Sequence, residues 1–303
     1  MPEPALASPA AAAPADAGVR DNLGGAAWML ASCAGATGMS VAVRMLSDEG
    51  VPTLQTAFLR ALLGLWVIVP VWLARPAGGP SPLRFTRPGL HIARGLLFVG
   101  ALTCGFHALA TLPLATATTL FFLAPVFATA LSAALGRERV GPVRWAAVGV
   151  AFAGALVVLR PALAVDPVGL AAAVGSAACF GVSLVIARPL AQADGAASIL
   201  VSGSVIAGGV LALPALAAWT PMGGALWMLV ALLVLPASLR MYADVRAYAV
   251  ADAGFLAPFS FLRLLFVAAA GWWLFAEVPD AATAAGAALI VGAAVLIALR
   301  SRA

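Results

Sequence analysis

The feature that most constrains this chain is a set of five apolar segments that occurs twice in one register. A segment opening at Gly24-Gly25 passes Arg44, and the next reaches Pro70; later, a segment opening at Gly169 passes Arg188, and its successor reaches Pro214. Gly25/Gly169, Arg44/Arg188, Leu46/Leu190 and Pro70/Pro214 all share one offset. Glu138 and Glu277 each close an apolar segment, and each is followed by a last segment ending in Leu-Arg, at Leu159-Arg160 and Leu299-Arg300. Five is odd, so the second copy enters a bilayer from the opposite side. Inverted duplication of this kind is the build plan of many secondary transporters.

A chain of 303 residues that is 63% hydrophobic and 10% charged, with mean hydropathy +1.05, is not an ordinary soluble domain. A bilayer core about 30 Å thick takes roughly 20 apolar residues per helix. The pattern predicts helices near 24–46, 52–74, 89–110, 114–135, 142–160, 167–188, 196–218, 223–246, 252–275 and 280–299. The expected fold is an all-α integral membrane protein: ten transmembrane helices as two inverted five-helix repeats around a central cavity. Residues 1–22 read as a disordered cytoplasmic tail, 23–161 as the first repeat and 162–303 as the second. Pro52, Pro76-Ala-Gly-Gly-Pro80, Pro113, Pro142, Pro161, Pro167, Pro221 and Pro279 mark the joints. The uncharged run 95–136 divides only at Leu112-Pro113, and 195–239 only at Trp219-Thr-Pro221-Met-Gly223-Gly224.

Arginine supplies all the side-chain cations outside histidine, since the chain has no lysine. With the N-terminus inside, the cytoplasmic segments hold 13 arginines and the opposite side only Arg44 and Arg160. Cytoplasmic loops carry the positive excess, so both termini are expected in the cytoplasm. The Ala-, Gly- and Arg-rich composition points to a bacterial inner membrane. The leader has no basic residue before Arg20, unlike a cleavable signal. Basic residues at span ends do not make a nucleic-acid surface. Cys33, Cys104 and Cys179 lie in apolar runs without metal-ligand spacing and read as reduced packing residues. No cofactor is implied.

Phe106-His-Ala-Leu-Ala-Thr-Leu-Pro113, Leu120-Phe-Phe-Leu-Ala-Pro125 and Gly136-Arg-Glu138 resemble the first half of an EamA-type member of the drug/metabolite transporter superfamily. Arg246-Ala-Tyr248, Ala257-Pro-Phe-Ser-Phe-Leu-Arg263 and Phe275-Ala-Glu277 resemble the second. The resemblance covers essentially everything after residue 22 and is most like the YddG-like amino-acid exporter branch. It implies ten helices around a central cavity, with the fifth and tenth peripheral, and export of amino acids or other small metabolites.

Ionisable groups at membrane depth are costly and face a cavity or a partner. Arg60, about 12 Å into the second helix, and Arg263, mid-way along the ninth, meet that description. In the repeat register Arg60 corresponds to Ser204 and Arg263 to Ala124, so both break the symmetry. Either guanidinium suits a substrate carboxylate; the plainer reading is a donor to backbone carbonyls or a snorkelling side chain. His107 is a candidate for an outer gate or for packing. Met39 and Ser183 are candidate pore-facing residues, and Phe106, Phe122, Phe259, Tyr242 and Tyr248 candidates for stacking, although aromatics at such positions more often pack. Arg240 reads as a local pair with Asp244 four residues on, and Glu138 and Glu277 as structural helix-end acids.

The leading expectation is an alternating-access exporter of aromatic or apolar amino acids or similar small metabolites, working as a monomer or weak homodimer. Without a buried acidic relay it would act as a facilitator. A nucleotide-derived metabolite or a drug is the alternative cargo, and a non-transporting membrane scaffold a third reading. A membrane enzyme would need a nucleophile with a base or a metal cluster; His91 and His107 are the only histidines and no such constellation occurs.

Overall fold

The computed structural model describes residues 22–73, 83–134, 142–162, 166–251, 256 and 259–300. The N-terminal leader, the Pro76–Pro80 joint, Arg137-Glu138-Arg139, Asp252 and Pro258 lie outside these, as do the side chains of Arg188 and Tyr248. Ten helices have bounds among the described residues, with 256 and 259–260 also helical: α1 (Asn22–Asp48), α2 (Thr53–Leu73), α3 (Pro88–Thr111), α4 (Leu114–Phe121), α5 (Ala124–Ala134), α6 (Pro142–Ala162), α7 (Pro167–Ala217), α8 (Gly224–Val250), α9 (Leu262–Phe275) and α10 (Ala281–Arg300).

Local chemistry explains most boundaries. Proline opens α3, α6 and α7, where a missing N–H costs nothing. Asp166 caps α7 by accepting from the Val168 N–H at 3.0 Å. Leu112, extended at φ −100°, ψ 157°, ends α3 because the following proline disfavours helix.

Two details go beyond the sequence expectation. The predicted fourth helix is interrupted at Phe122-Leu123, so that α4 and α5 are its halves. Pro125 has no N–H to give the Phe121 carbonyl, and the chain instead makes tighter bonds, Phe122 N–H to Thr119 O at 3.2 Å and Leu123 N–H to Leu120 O at 3.0 Å. The predicted ninth helix turns in the same way at Phe261 before α9 begins. Conversely, the sixth and seventh predicted helices run on to a sharp turn at Gly195, whose φ of 80° and ψ of 162° suit only glycine.

Among the described residues, six helical stretches are long and apolar enough to cross a membrane: Leu23–Asp48, Pro88–Thr111, Leu114–Ala134, Pro167–Ala187, Ala197–Ala217 and Gly224–Asp244. Trp145–Val158, Leu262–Phe275 and Ala281–Ala293 are shorter apolar helices. Large apolar side chains stand outward, with Trp273 82% and Leu213 81% exposed. Such a surface belongs in lipid.

The two sequence halves interlock: α1 lies along α8, α3 along α7 and α6 along α10. Leu46, Leu109 and Leu120 share one core with Leu170, Leu233 and Ile290. Lipid tails are as apolar as leucine, so close helix approach does the holding. A Cβ on Gly154 of α6 would meet the Gly286 carbonyl of α10, and one on Gly286 would meet the Gly154 carbonyl. At Gly35 a Cβ would stand 2.5 Å from the Pro236 carbonyl oxygen and 2.9 Å from Arg240 N. Bare glycine brings α1 against α8 there.

Candidate substrate cavity

Between α1, α2, α3, α7, α8 and the two interrupted segments lies a cavity of about 410 Å³. That is the size of a small-molecule site. Its wall divides into two chemistries. Phe98, Phe106, Phe121, Phe122 and Phe180 supply aromatic surface, while Arg60, Arg240, Arg263 and Asp244 supply charge.

Each charged group is placed by its helix. Arg60 folds its guanidinium over Gly64, where a Cβ would collide with Nη1. Arg240 sits at the close approach of α8 to Gly35. Its Nε stands 3.9 Å from Asp244 Oδ2, while the Ser32 hydroxyl of α1 donates to Asp244 Oδ1 at 2.5 Å. The Cys33 thiol, one residue on, donates to the carbonyls of Phe259 and Ser260 at 3.6 and 3.9 Å. These contacts fix the chain just before α9, from which Arg263 enters the cavity. Its Nε is buried and has no hydrogen-bond partner among the described residues.

Polar ties lie at both ends of α3. At its C-terminal end, Arg44 Nη1 donates to the Ala110 and Leu112 carbonyls at 3.1 and 2.9 Å. At its start, buried His91 bridges Asp194 (Nε2–Oδ2 2.9 Å) and Ser202 (Nδ1–Oγ 2.8 Å). The Thr86 N–H also donates to Asp194, at 3.1 Å. Burial works to raise the Asp194 carboxyl, but the His91 and Thr86 hydrogen bonds outweigh it and hold the group below its ordinary value.

Of the residues singled out in the sequence, Met39, Arg60, Phe106, Phe122 and Arg263 line this cavity. Others stand elsewhere. Tyr242 lies two residues from both Arg240 and Asp244, about 200° around the helix, and is 48% exposed with its ring edge-on to Trp28. Ser183 is buried on the same helix as the wall residues Ser176, Phe180 and Leu184 but is not itself among the wall residues. His107 follows Phe106 and is likewise turned off the wall, half-buried near Asp166. Phe259 packs into a satellite core with Met29, Ala247 and Leu256. Tyr248 is on α8, with its side chain outside the described residues.

Arg240 and Asp244 are the main correction. They are an i,i+4 pair as expected, but they form part of the cavity wall rather than a cytoplasmic loop. The signal was present: an acid and a base inside an apolar span. Without Arg240 the arginine asymmetry still stands at 12 to two.

Residues 23–160 match the model of the EamA-like transporter family. Over 89% of this chain and 91% of the relative, the sequence is 32% identical to a riboflavin transporter of Vibrio cholerae. The chain belongs to the EamA-like transporter family. This transporter is also 28% identical to an S-adenosylmethionine uptake transporter of Rickettsia felis, over 92% of this chain and 94% of the relative. A pseudopaline exporter of Pseudomonas aeruginosa is 29% identical over 81% of this chain and 86% of its own length. One solved crystal structure superposes with a TM-score of 0.59 at 25% identity, covering 92% of this chain and 97% of that one. The protein is therefore a multi-pass membrane transporter of the drug/metabolite superfamily and not an enzyme. None of these relatives is named for amino-acid export, so the likeness to the YddG branch is not carried further.

Proposed function

We propose that this transporter moves a flat, conjugated metabolite of neutral or negative charge, of the flavin or nucleotide-derived class, through the central cavity by alternating access. One observation carries the reading: five phenylalanines and three arginines share the cavity wall with a single described carboxylate. Aromatic rings stack on the first set, and carbonyl or anionic oxygens pair with the second. The same charge excess works against the sulfonium of S-adenosylmethionine, since like charges in a poorly solvated cavity repel strongly. A riboflavin-like cargo fits both walls.

The reading includes ten spans in two inverted halves, 23–161 and 162–303, with both termini in the cytoplasm of a bacterial inner membrane. The relatives' names include both uptake transporters and an exporter. Asp244, the one carboxylate on the described wall, is engaged by Arg240 and Ser32, and facilitated movement down a gradient is the expected mode. A second reading, export of aromatic amino acids, is favoured by the unpartnered Arg263 Nε, which suits a carboxylate.

Flux into proteoliposomes of labelled riboflavin, S-adenosylmethionine and phenylalanine tests the proposal. Saturable riboflavin flux that falls at least tenfold in Arg263→Gln is expected. Phenylalanine flux without riboflavin flux would replace it by the second reading, and preferential S-adenosylmethionine flux would overturn the charge argument.

A further inference from the structure

Resting on that reading of the cavity, we infer that its arginine end is a subsite for a phosphate monoester, so that the preferred cargo is a ring compound bearing a terminal phosphate. The argument begins with charge. Arg60 on α2, Arg240 on α8 and Arg263 on α9 converge from three helices on one side of the cavity. Asp244 is the one carboxylate on the described wall, and it engages only part of this cluster: 3.9 Å from Arg240 Nε and held on its other oxygen by Ser32. Among the described residues, two positive charges remain without a counter-charge, in a wall otherwise mostly of phenylalanine, leucine, methionine and alanine, with Ser32, Cys33, Ser176 and Ser260 as its neutral polar residues. Charges removed from water need compensation. A phosphate monoester near pH 7 carries between 1.5 and 2 negative charges. With Asp244 it closes the balance of the cavity; a carboxylate does not.

Hydrogen bonding points the same way. No acceptor among the described residues meets the buried Arg263 Nε, so the guanidinium is not committed to a protein partner through that nitrogen. A phosphate offers three strong acceptor oxygens at once and can bond guanidinium groups from several directions. Inorganic phosphate would leave the Phe98–Phe106–Phe180 side of the cavity empty. An ester whose ring lies on that side fills both. Asp244 then sets the charge selectivity: a fixed negative charge that keeps the cluster soluble when empty and limits it to one dianion when loaded.

The test compares ligands that share one ring and differ only in charge. In proteoliposomes, riboflavin 5′-phosphate is expected to compete for flux at a concentration at least tenfold below that of riboflavin. The preference should collapse to about one in Arg240→Gln and in Arg263→Gln, and shrink as pH falls through about 6, where the monoester dianion takes up one proton to become the monoanion. The titratable and charged groups that share this wall with the phosphate are Arg60, Arg240, Arg263, Asp244 and Cys33. A second readout does not depend on the cargo. Benzyl phosphate should raise the thermal midpoint of the purified protein while benzyl alcohol does not, and Arg60→Gln or Arg263→Gln should abolish the rise. Riboflavin carried with its phosphate neither carried nor competing overturns the inference, as does a phosphate preference that survives in both arginine variants. If neither flavin is carried but benzyl phosphate stabilises through the arginines, the flavin assignment fails and the subsite stands. If benzyl phosphate does nothing, the subsite fails.

Discussion

Arg44 of α1 and Glu277, which precedes α10, lie far apart in sequence yet approach to 3.4 Å, Nη2 to Oε1. Each also closes a helix end. Arg44 supplies donors to the last carbonyls of α3, and Glu277 Oε2 accepts the Leu114 N–H at the start of α4 at 2.7 Å. Helix termini leave such groups unsatisfied, and in a membrane protein water cannot be relied on to meet them. Glu277 itself follows Ala276, which adopts the left-handed conformation at φ 54° and lets the Glu277 N–H return to the Gly271 carbonyl at 3.0 Å. One ion pair thus ties α1, α3, α4 and the α9–α10 turn together.

Removing that carboxylate should be expensive. Glu277→Ala leaves the Leu114 N–H without its acceptor and leaves Arg44 with the more exposed Asp48 as its counter-charge, and a loss of about 1–3 kcal/mol is expected. Glu277→Gln keeps an acceptor for Leu114 and should cost clearly less. Thermal unfolding of the purified variants in one detergent measures the difference.

Two wall phenylalanines should behave differently. Phe106 is only 3% exposed, and Phe106→Ala should destabilise by about 3–5 kcal/mol. Phe180 also lines the cavity but is 41% exposed, so Phe180→Ala should barely move the unfolding midpoint. Its effect should appear in transport, as a rise of about tenfold in KM for a ring-bearing cargo, the size of a lost aromatic contact.

Two glycines separate backbone strain from collision. A Cβ on Gly195 meets nothing within 4 Å, so the cost of Gly195→Ala is backbone strain at positive φ, about 1–3 kcal/mol. Gly35→Ala keeps an ordinary helical backbone but collides with Pro236 and Arg240. It should push α8 away and displace Arg240, lowering flux more than Gly195→Ala does at equal expression.

Asp280 gives a pH signature outside the membrane. The Thr283 hydroxyl, and after it the Thr283 N–H at 2.7 Å, hold its carboxyl below the ordinary value. A depressed value in the folded state means that the cap stabilises above the unfolded value, near 3.9, and is lost as pH falls through the folded one. Asp280→Ala should therefore cost about 1 kcal/mol at pH 7. The gap to wild type should close below about pH 4. Asp280→Asn, which caps without titrating, should show no such closure.

The spans and their joints were legible in the sequence because length, apolarity and proline placement are one-dimensional signals. Arg60 and Arg263 were legible for a similar reason: a charge at membrane depth stands out wherever it points. What a side chain faces was harder to read. In a helix such as α7, lipid, core and cavity all ask for apolar residues, so no polar face reveals the azimuth. Tyr242 is therefore read toward the cavity although its ring stands against Trp28, and the wall positions Phe98 and Phe180 give no such signal. Arg240 and Asp244 were hidden by each other, since a charge pair at helical spacing is explained locally and invites no further partner.

Phe122 and Phe261 are equivalent positions of the two halves, with the same separation as Ala124 and Arg263, and each marks the interruption of its own segment. Their rings touch, centroids 5.1 Å apart. Objects exchanged by a two-fold rotation can meet only at the axle. On the inverted-repeat reading proposed above, swapping the shapes of the two halves leaves the axle where it was, and this contact is expected in both end states. Shaving it with Phe261→Leu should change how quickly the halves trade places in both directions alike, and leave the balance between inward and outward openings untouched.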